Sequence, residues 1–172
     1  MHLEAAQLTD LPALHALIES AYRGDSAKLG WTHEADLLGG QRTDMEALEA
    51  MVSDPAQAIL ILRDGEDIDA CAALADRGGG LTYLGMFTVA PGRQATGVGR
   101  LLLAASEEHA ATRFGATRIE MTVIAQRTEL IAWYERRGYR PTGERRPFPA
   151  DDPRFGLPMR DDLVFVVLEK MI

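Results

Sequence analysis

Residues Tyr83–Phe114 read YLGMFTVAPGRQATGVGRLLLAASEEHAATRF, and the reading of this stretch decides the fold. A β-rich run, YLGMFTV, feeds a glycine-punctuated turn, and the turn opens directly into a helix with an apolar stripe. The first backbone N–H groups of a helix have no intrahelical partner, and the macrodipole adds about half a positive charge there. Phosphate or pyrophosphate is the natural ligand of such an end. Glycine at 97 and 99 lets a bulky diphosphate approach the amides and tolerates positive φ. The stretch therefore predicts a phosphate-bearing cofactor lying on Gln94, Ala95, Thr96, Gly97, Val98, Gly99 and Arg100.

The residues that are missing narrow the choice. A Walker loop needs Lys and then Ser or Thr after its last glycine, whereas Arg100 and Leu101 follow Gly99. A Rossmann fingerprint needs a third small residue where this chain has Leu102. What remains is Gln94-x-x-Gly97-x-Gly99, with Val89 and Pro91 upstream. It resembles the pyrophosphate loop of the GNAT superfamily of N-acetyltransferases, which bind acetyl-CoA there. Downstream, ELIAWYERRGYRPTG (Glu129 to Gly143) resembles the superfamily's later motif at Ala132, Trp133, Tyr134, Glu135, Gly138 and Tyr139, with Ala132 one place off the commonest pattern. Two motifs in the right order and at the right separation are far more specific than either alone.

The resemblance implies an α/β (mixed α+β) GNAT fold: a central, mostly antiparallel mixed twisted sheet of about seven strands, flanked by about four helices. It implies an acetyl-CoA-dependent N-acetyltransferase with no metal. Its acceptor would be a primary amine of a small molecule or a protein amino group. Backbone groups at Phe87, Thr88 and Val89 would pair with the pantetheine arm and polarise the thioester carbonyl. The chain departs from the family at two places. Ala95 stands where glycine is common, which matters little if its φ is negative. Where an Asn commonly precedes the second helix the chain has Gln126-Arg127-Thr128. Gln126 as an amide and Arg127 as a phosphate ligand both remain open.

With 172 residues the chain suits one domain, residues 1–172. The lone Cys71 permits no internal disulfide, and a cytoplasmic location is expected. The opening MHLEAAQLTD has neither a basic segment nor an apolar core, so no signal peptide is expected, and no apolar run approaches membrane length. A net charge of −8 argues against nucleic acid as a partner. Elsewhere the pattern predicts a first strand at 2–6, a helix from Thr9 or Asp10 to Tyr22, and a short helix at Thr32–Leu38. A capping box Thr43-x-x-Glu46 is expected to open the next helix. Hairpin strands at Ala58–Arg63 and Ile68–Ala75 lead to the organising strand. Strands at Thr117–Val123, from Tyr139, and at Leu163–Glu169 complete the sheet. Cys71 and His109 read as core residues.

Transfer of an acetyl group to an amine needs a polarised carbonyl, a neutral amine and a proton for the leaving thiolate. Tyr134 is the candidate proton donor, since a phenol (pKa about 10) can protonate a thiolate of pKa about 8.5. Glu34, Glu120 and His33 are the candidate bases, because the organising strand carries no acid of its own. The overhanging segments 23–42 and 147–162 are expected to form the acceptor pocket. Trp31, His33 and Asp36 are the candidate substrate contacts, and the acids there favour a cationic amine. A competing expectation seats these segments against a second copy in a homodimer. A second functional reading is a non-catalytic acyl-CoA sensor of the same fold.

Overall fold

The computed structural model describes all 172 residues, Met1–Ile172. In chain order the elements are β1 (His2–Ala5), α1 (Leu11–Tyr22), α2 (Gly24–Ala27), β2 (Leu38–Gly39) and α3 (Met45–Ser53). They continue as β3 (Gln57–Asp64), β4 (Asp67–Asp76), β5 (Leu81–Val89), α4 (Val98–Phe114) and β6 (Arg118–Ile124). The chain ends with α5 (Thr128–Glu135), β7 (Arg140–Pro147), β8 (Leu157–Pro158) and β9 (Val164–Met171). Most bounds fall within a residue or two of those expected from the sequence. The main sheet has seven strands in the order β1-β3-β4-β5-β6-β9-β7. All neighbours are antiparallel except β5 and β6. The expected mixed sheet is present.

The sheet is covered on both faces because its central strands alternate apolar residues toward both. Leu60, Leu62, Ala70, Leu74 and Leu84 pack with Val98, Leu102 and Leu103 of α4 and with Tyr134 of α5. Ile59, Ile61, Cys71 and Met86 pack with Leu14, Leu17 and Ile18 of α1 and with Leu48 of α3. Each fully buried Leu or Ile contributes roughly 1.5–3 kcal/mol of burial, so the two layers hold the sheet between them. Cys71 lies wholly inside this core, and burial pushes its thiol up to about 12.

Two irregularities in β5 prepare the site. Leu84 faces α4 while Met86 faces α1, although residues two apart on a regular strand share a face. A bulge accounts for the switch: the register with β4 slips between Cys71 and Ala73, and Met86 takes φ +47. The second irregularity is a splay. β5 pairs with β6 only at Leu81–Tyr83, opposite Arg118–Glu120, after which the two parallel strands diverge. From Leu84 onward β5 has no partner on that side, and the gap becomes the cleft.

Two local expectations are corrected. No helix forms at 32–38; the chain there makes turns, and the short helix is α2. The residue capping α3 is Asp44, whose carboxylate accepts from Ala47 N at 2.8 Å, and not Thr43. Asp44 sits one residue closer to the helix and so satisfies the next orphan amide, that of Ala47 in place of Glu46. The two overhanging segments also join: Leu38 pairs with Pro158 and Gly39 with Leu157, and Met159 N donates to Leu37 O at 2.9 Å.

Candidate active site

The cleft opens where β5 ends. A cavity of about 480 Å³ is bounded by Phe87, Thr88 and Val89 of β5, by Gln94 to Gly97 and Gly99 to Arg100 at the start of α4, and by Leu130, Trp133 and Arg137 of α5. Leu101 makes the first intrahelical bond of α4, to Gly97 O at 3.1 Å. The N–H groups of Val98, Gly99 and Arg100 are therefore left at the helix end. Gly97 is the N-cap at φ +93, a conformation an L residue rarely adopts. A Cβ on Gly99 would lie 3.5 Å from the Trp133 ring and 3.6 Å from Val89, on the cleft side of the helix. The Arg100 guanidinium has no protein partner, and it borders the same space.

Ala95 departs from the favourable case. Its φ is +63, in the left-handed region where glycine would sit without strain. Gln94 is a brace: its Oε1 accepts from Thr32 N at 3.1 Å and its Nε2 donates to Val89 O at 3.2 Å. It ties the segment around Thr32 to the end of β5.

On the other side of the splay lies a second cavity of about 660 Å³. Tyr22, Phe87, Arg127 and Leu130 border both cavities, so the two spaces meet there. The pair β2–β8 and the segments running into it form the roof of the second cavity, with Leu38, Phe148 and Phe155 among its walls. Tyr134 is held by an aromatic cluster, with Phe87 at 6.0 Å, Trp133 at 5.1 Å and Tyr139 at 5.7 Å between ring centroids. Its ring is buried, its hydroxyl has no protein hydrogen-bond partner, and it borders the second cavity. Burial, the largest influence, raises the pKa of this phenol well above its usual 10, so it stays protonated.

The charged residues at the junction are not where the sequence alone suggested. Glu34 is buried and bridges two arginines: Arg23 Nη1 donates to Oε2 at 2.8 Å and Arg127 Nη1 to Oε1 at 3.0 Å. Burial alone would raise its pKa, but Arg127, Arg42 and Arg23 together outweigh that and hold it below the usual carboxylate range. Arg127 also donates from Nη2 to Thr32 Oγ1 at 2.9 Å. Of the two residues left open before α5, Arg127 lies in the cleft, whereas Gln126 turns away and donates to Asp162 O.

Glu120 borders neither cavity and accepts from Arg146 Nη1 at 2.8 Å. Asp36 is exposed and pairs with Lys28 at 3.4 Å, also outside both cavities. His33 Nδ1 accepts from Ala35 N at 3.2 Å, so it braces its own turn. Trp31 is half-exposed and borders the first cavity, not the second. His109 is half-buried against Phe114, far along α4 from the cleft.

Three residues at the junction have no mark in the sequence reading. Tyr22 looks like the last apolar residue of α1, yet its hydroxyl donates to Phe87 O at 2.5 Å, on the free side of β5. Arg23 looks like the first residue of a loop, yet it is buried against Glu34. Arg42 closes the same loop, and its guanidinium lies 5.0 Å from the centroid of the Tyr22 ring. Only an arginine bracketing each end of one glycine-rich segment hinted at them.

A sheet splayed beside a glycine-capped helix, with one cavity on each side of the opening, defines a GNAT-type acyltransferase architecture. The chain belongs to the acetyltransferase (GNAT) family, whose model matches residues 15–139. Comparison with curated proteins gave no match. Among solved structures the chain is similar to the ribosomal-protein-alanine N-acetyltransferase of Brucella melitensis, with a TM-score of 0.73, 18% identity and 100% of both chains covered. It is also similar to a spermidine N-acetyltransferase chimera from Vibrio cholerae and hSSAT, with a TM-score of 0.69, 14% identity, and 99% of this chain and 96% of that one covered. A GNAT family acetyltransferase from Elizabethkingia anophelis with acetyl-CoA bound aligns over 75% of this chain and 84% of that one, with a TM-score of 0.63 and 17% identity. At these identities the likeness concerns the fold. No helix of the chain is long and apolar enough to cross a membrane.

Proposed function

We propose that residues 1–172 work as a single cytoplasmic domain that transfers the acetyl group of acetyl-CoA to an amine. The observation that carries this reading is the meeting of the two cavities at Tyr22, Phe87, Arg127 and Leu130, with the unpartnered Tyr134 hydroxyl beside it. The diphosphate would lie on the N–H groups of Val98, Gly99 and Arg100, with the Arg100 guanidinium adding charge. The free side of β5 at Phe87–Val89 would receive the pantetheine arm, and the thioester would reach the junction. The amine enters from the second cavity; its nitrogen bonds to the carbonyl carbon and the C–S bond breaks. Tyr134 gives its proton to the departing sulfur, and the proton released by the amine restores the phenol.

Glu34 is assigned a positioning role, because a carboxylate held down by three arginines is a poor proton acceptor. Glu120 is assigned no role in the chemistry. The acceptor amine would then lose its proton to water or in the desolvated cavity. The engaged state of both carboxylates also favours a second reading, an acyl-CoA sensor without turnover. Calorimetric titration with CoA, followed by thiol release from acetyl-CoA across a panel of amines, separates the two. Binding with turnover establishes the transferase, binding without turnover establishes the sensor, and no binding overturns both.

A further inference from the structure

The second cavity is cationic, although the chain as a whole carries a net charge of −8. Five arginines border it, at 23, 42, 77, 127 and 154, against three carboxylates, Glu34, Asp44 and Glu46. The carboxylates are largely committed elsewhere. Glu34 is shared by Arg23 and Arg127. Asp44 caps α3 and also accepts from Gln41 Nε2. Glu46 lies exposed in the first turn of α3, where the helix dipole favours it. Among the arginines, Arg154 pairs with Asp152 at the rim, and Arg77 is exposed beside Tyr83.

Arg42 is different. It is half-buried, it borders the cavity, and its guanidinium makes no hydrogen bond or ion pair with the protein. It lies over the Tyr22 ring in a cation–π contact, and its charge also acts on the Glu34 carboxylate, whose two oxygens already accept from Arg23 and Arg127. Two further donors in the same cluster, the Nε groups of Arg23 and Arg127, are buried without a partner on side chains about nine-tenths buried or more. A half-buried guanidinium without a hydrogen-bond partner gives up solvation that its neighbours only partly offset, and a fork of donors matches a carboxylate in two parallel bonds.

Resting on the acyl-transfer reading above, we propose that the acceptor is an α-amino acid whose carboxylate is bound by Arg42, and not a polyamine or other purely cationic amine. Tyr22 stands where the cavities meet, so an anion on Arg42 sits about one ring from the junction. An α-amino acid carries its amine and carboxylate on one carbon, which suits that short separation. The wall formed by Phe148 and Phe165, whose ring centroids are 5.6 Å apart, receives an apolar side chain. The cavity of about 660 Å³ lies in the range that encloses small ligands.

The test uses the full chain saturated with CoA and two calorimetric probes, N-acetyl-L-phenylalanine and N-acetyl-L-phenylalaninamide, which differ only in the carboxylate. The acid is expected to bind roughly 10- to 100-fold more tightly, the range of one charge-assisted pair. Arg42→Gln should abolish that preference and leave CoA affinity unchanged, while Arg42→Lys should retain part of it, which guards against a folding defect in the first variant. Equal binding of the two probes, no binding of either, or a preference that survives in Arg42→Gln would overturn the assignment while acyl transfer stands. Faster turnover of phenethylamine or spermidine than of phenylalanine would do the same. Failure of CoA itself to bind would remove the acyl-transfer reading and the acceptor assignment together.

Discussion

Glu34 Oε1 and Arg127 Nη1, 93 residues apart in sequence, meet at 3.0 Å between the roof of the second cavity and the start of α5. The contact links the segment after α2 to the helix that carries Tyr134. Arg23 completes the bridge from the end of α1, and its Nη2 also reaches Phe155 O at 3.3 Å. One carboxylate thus holds together three separate pieces of the site.

Glu34→Gln should be costly. The amide leaves two buried guanidinium groups without their counter-charge, and breaking such a pair costs about 3–5 kcal/mol. The pKa of Glu34 is lowered in the folded state, so its contribution is present above its ordinary value of 4.5 and is lost as pH falls through the lower folded value. Urea denaturation of both proteins between pH 7 and pH 3 should show the difference shrinking below about pH 4.5. A stability gap independent of pH would contradict this account.

Tyr134→Phe should lower kcat by roughly 10²-fold or more and leave CoA affinity nearly intact. Stability should change little, because the lost hydroxyl has no protein partner. Burial raises the phenol's pKa, so the proton donor is retained as pH rises, and kcat should show no fall traceable to Tyr134 below about pH 10. A variant within about threefold of the parent in kcat would leave Tyr134 only its packing role.

Gly99→Asp places a carboxylate on the cleft side of α4, beside Trp133 and Val89. It should abolish CoA binding in a calorimetric titration while circular dichroism stays native, since the side chain adds negative charge where phosphates are expected. Ala95→Gly acts in the opposite sense. It relieves a left-handed alanine at a strain of about 1–2 kcal/mol, against a glycine entropy cost of about 0.4–1 kcal/mol. A small rise in Tm is expected, with CoA affinity unchanged within about threefold.

Trp31→Ala and Asp36→Asn should part company. Trp31 borders the first cavity, so its loss should weaken acetyl-CoA (a higher KM for the co-substrate) and spare KM for the amine. Asp36 is exposed and pairs with Lys28, so Asp36→Asn should leave both KM values within about twofold, as expected of an exposed pair worth less than about 1 kcal/mol. A raised amine KM in either variant would return these residues to the acceptor site.

The sequence by itself determined the strands of the main sheet, the helices α1, α3, α4 and α5, and the glycine-capped start of α4. The β-rich run Leu81–Val89, glycine at 97 and 99, and the apolar stripe of α4 are local signals, and local chemistry is enough to read a strand, a turn and an orphaned helix end. The tertiary structure alone decided which charges share a site. Asp36 and Glu34 are two residues apart in one loop, yet one faces solvent and the other is buried between arginines from two other segments. Tyr22, Arg23 and Arg42 owe their positions to the splay of β5 from β6 and to the β2–β8 pairing that draws 23–42 and 147–162 together. Those are long-range pairings, set by how the whole sheet twists and closes, and no window of sequence around Arg127 contains the Glu34 carboxylate, 93 residues away, that it meets.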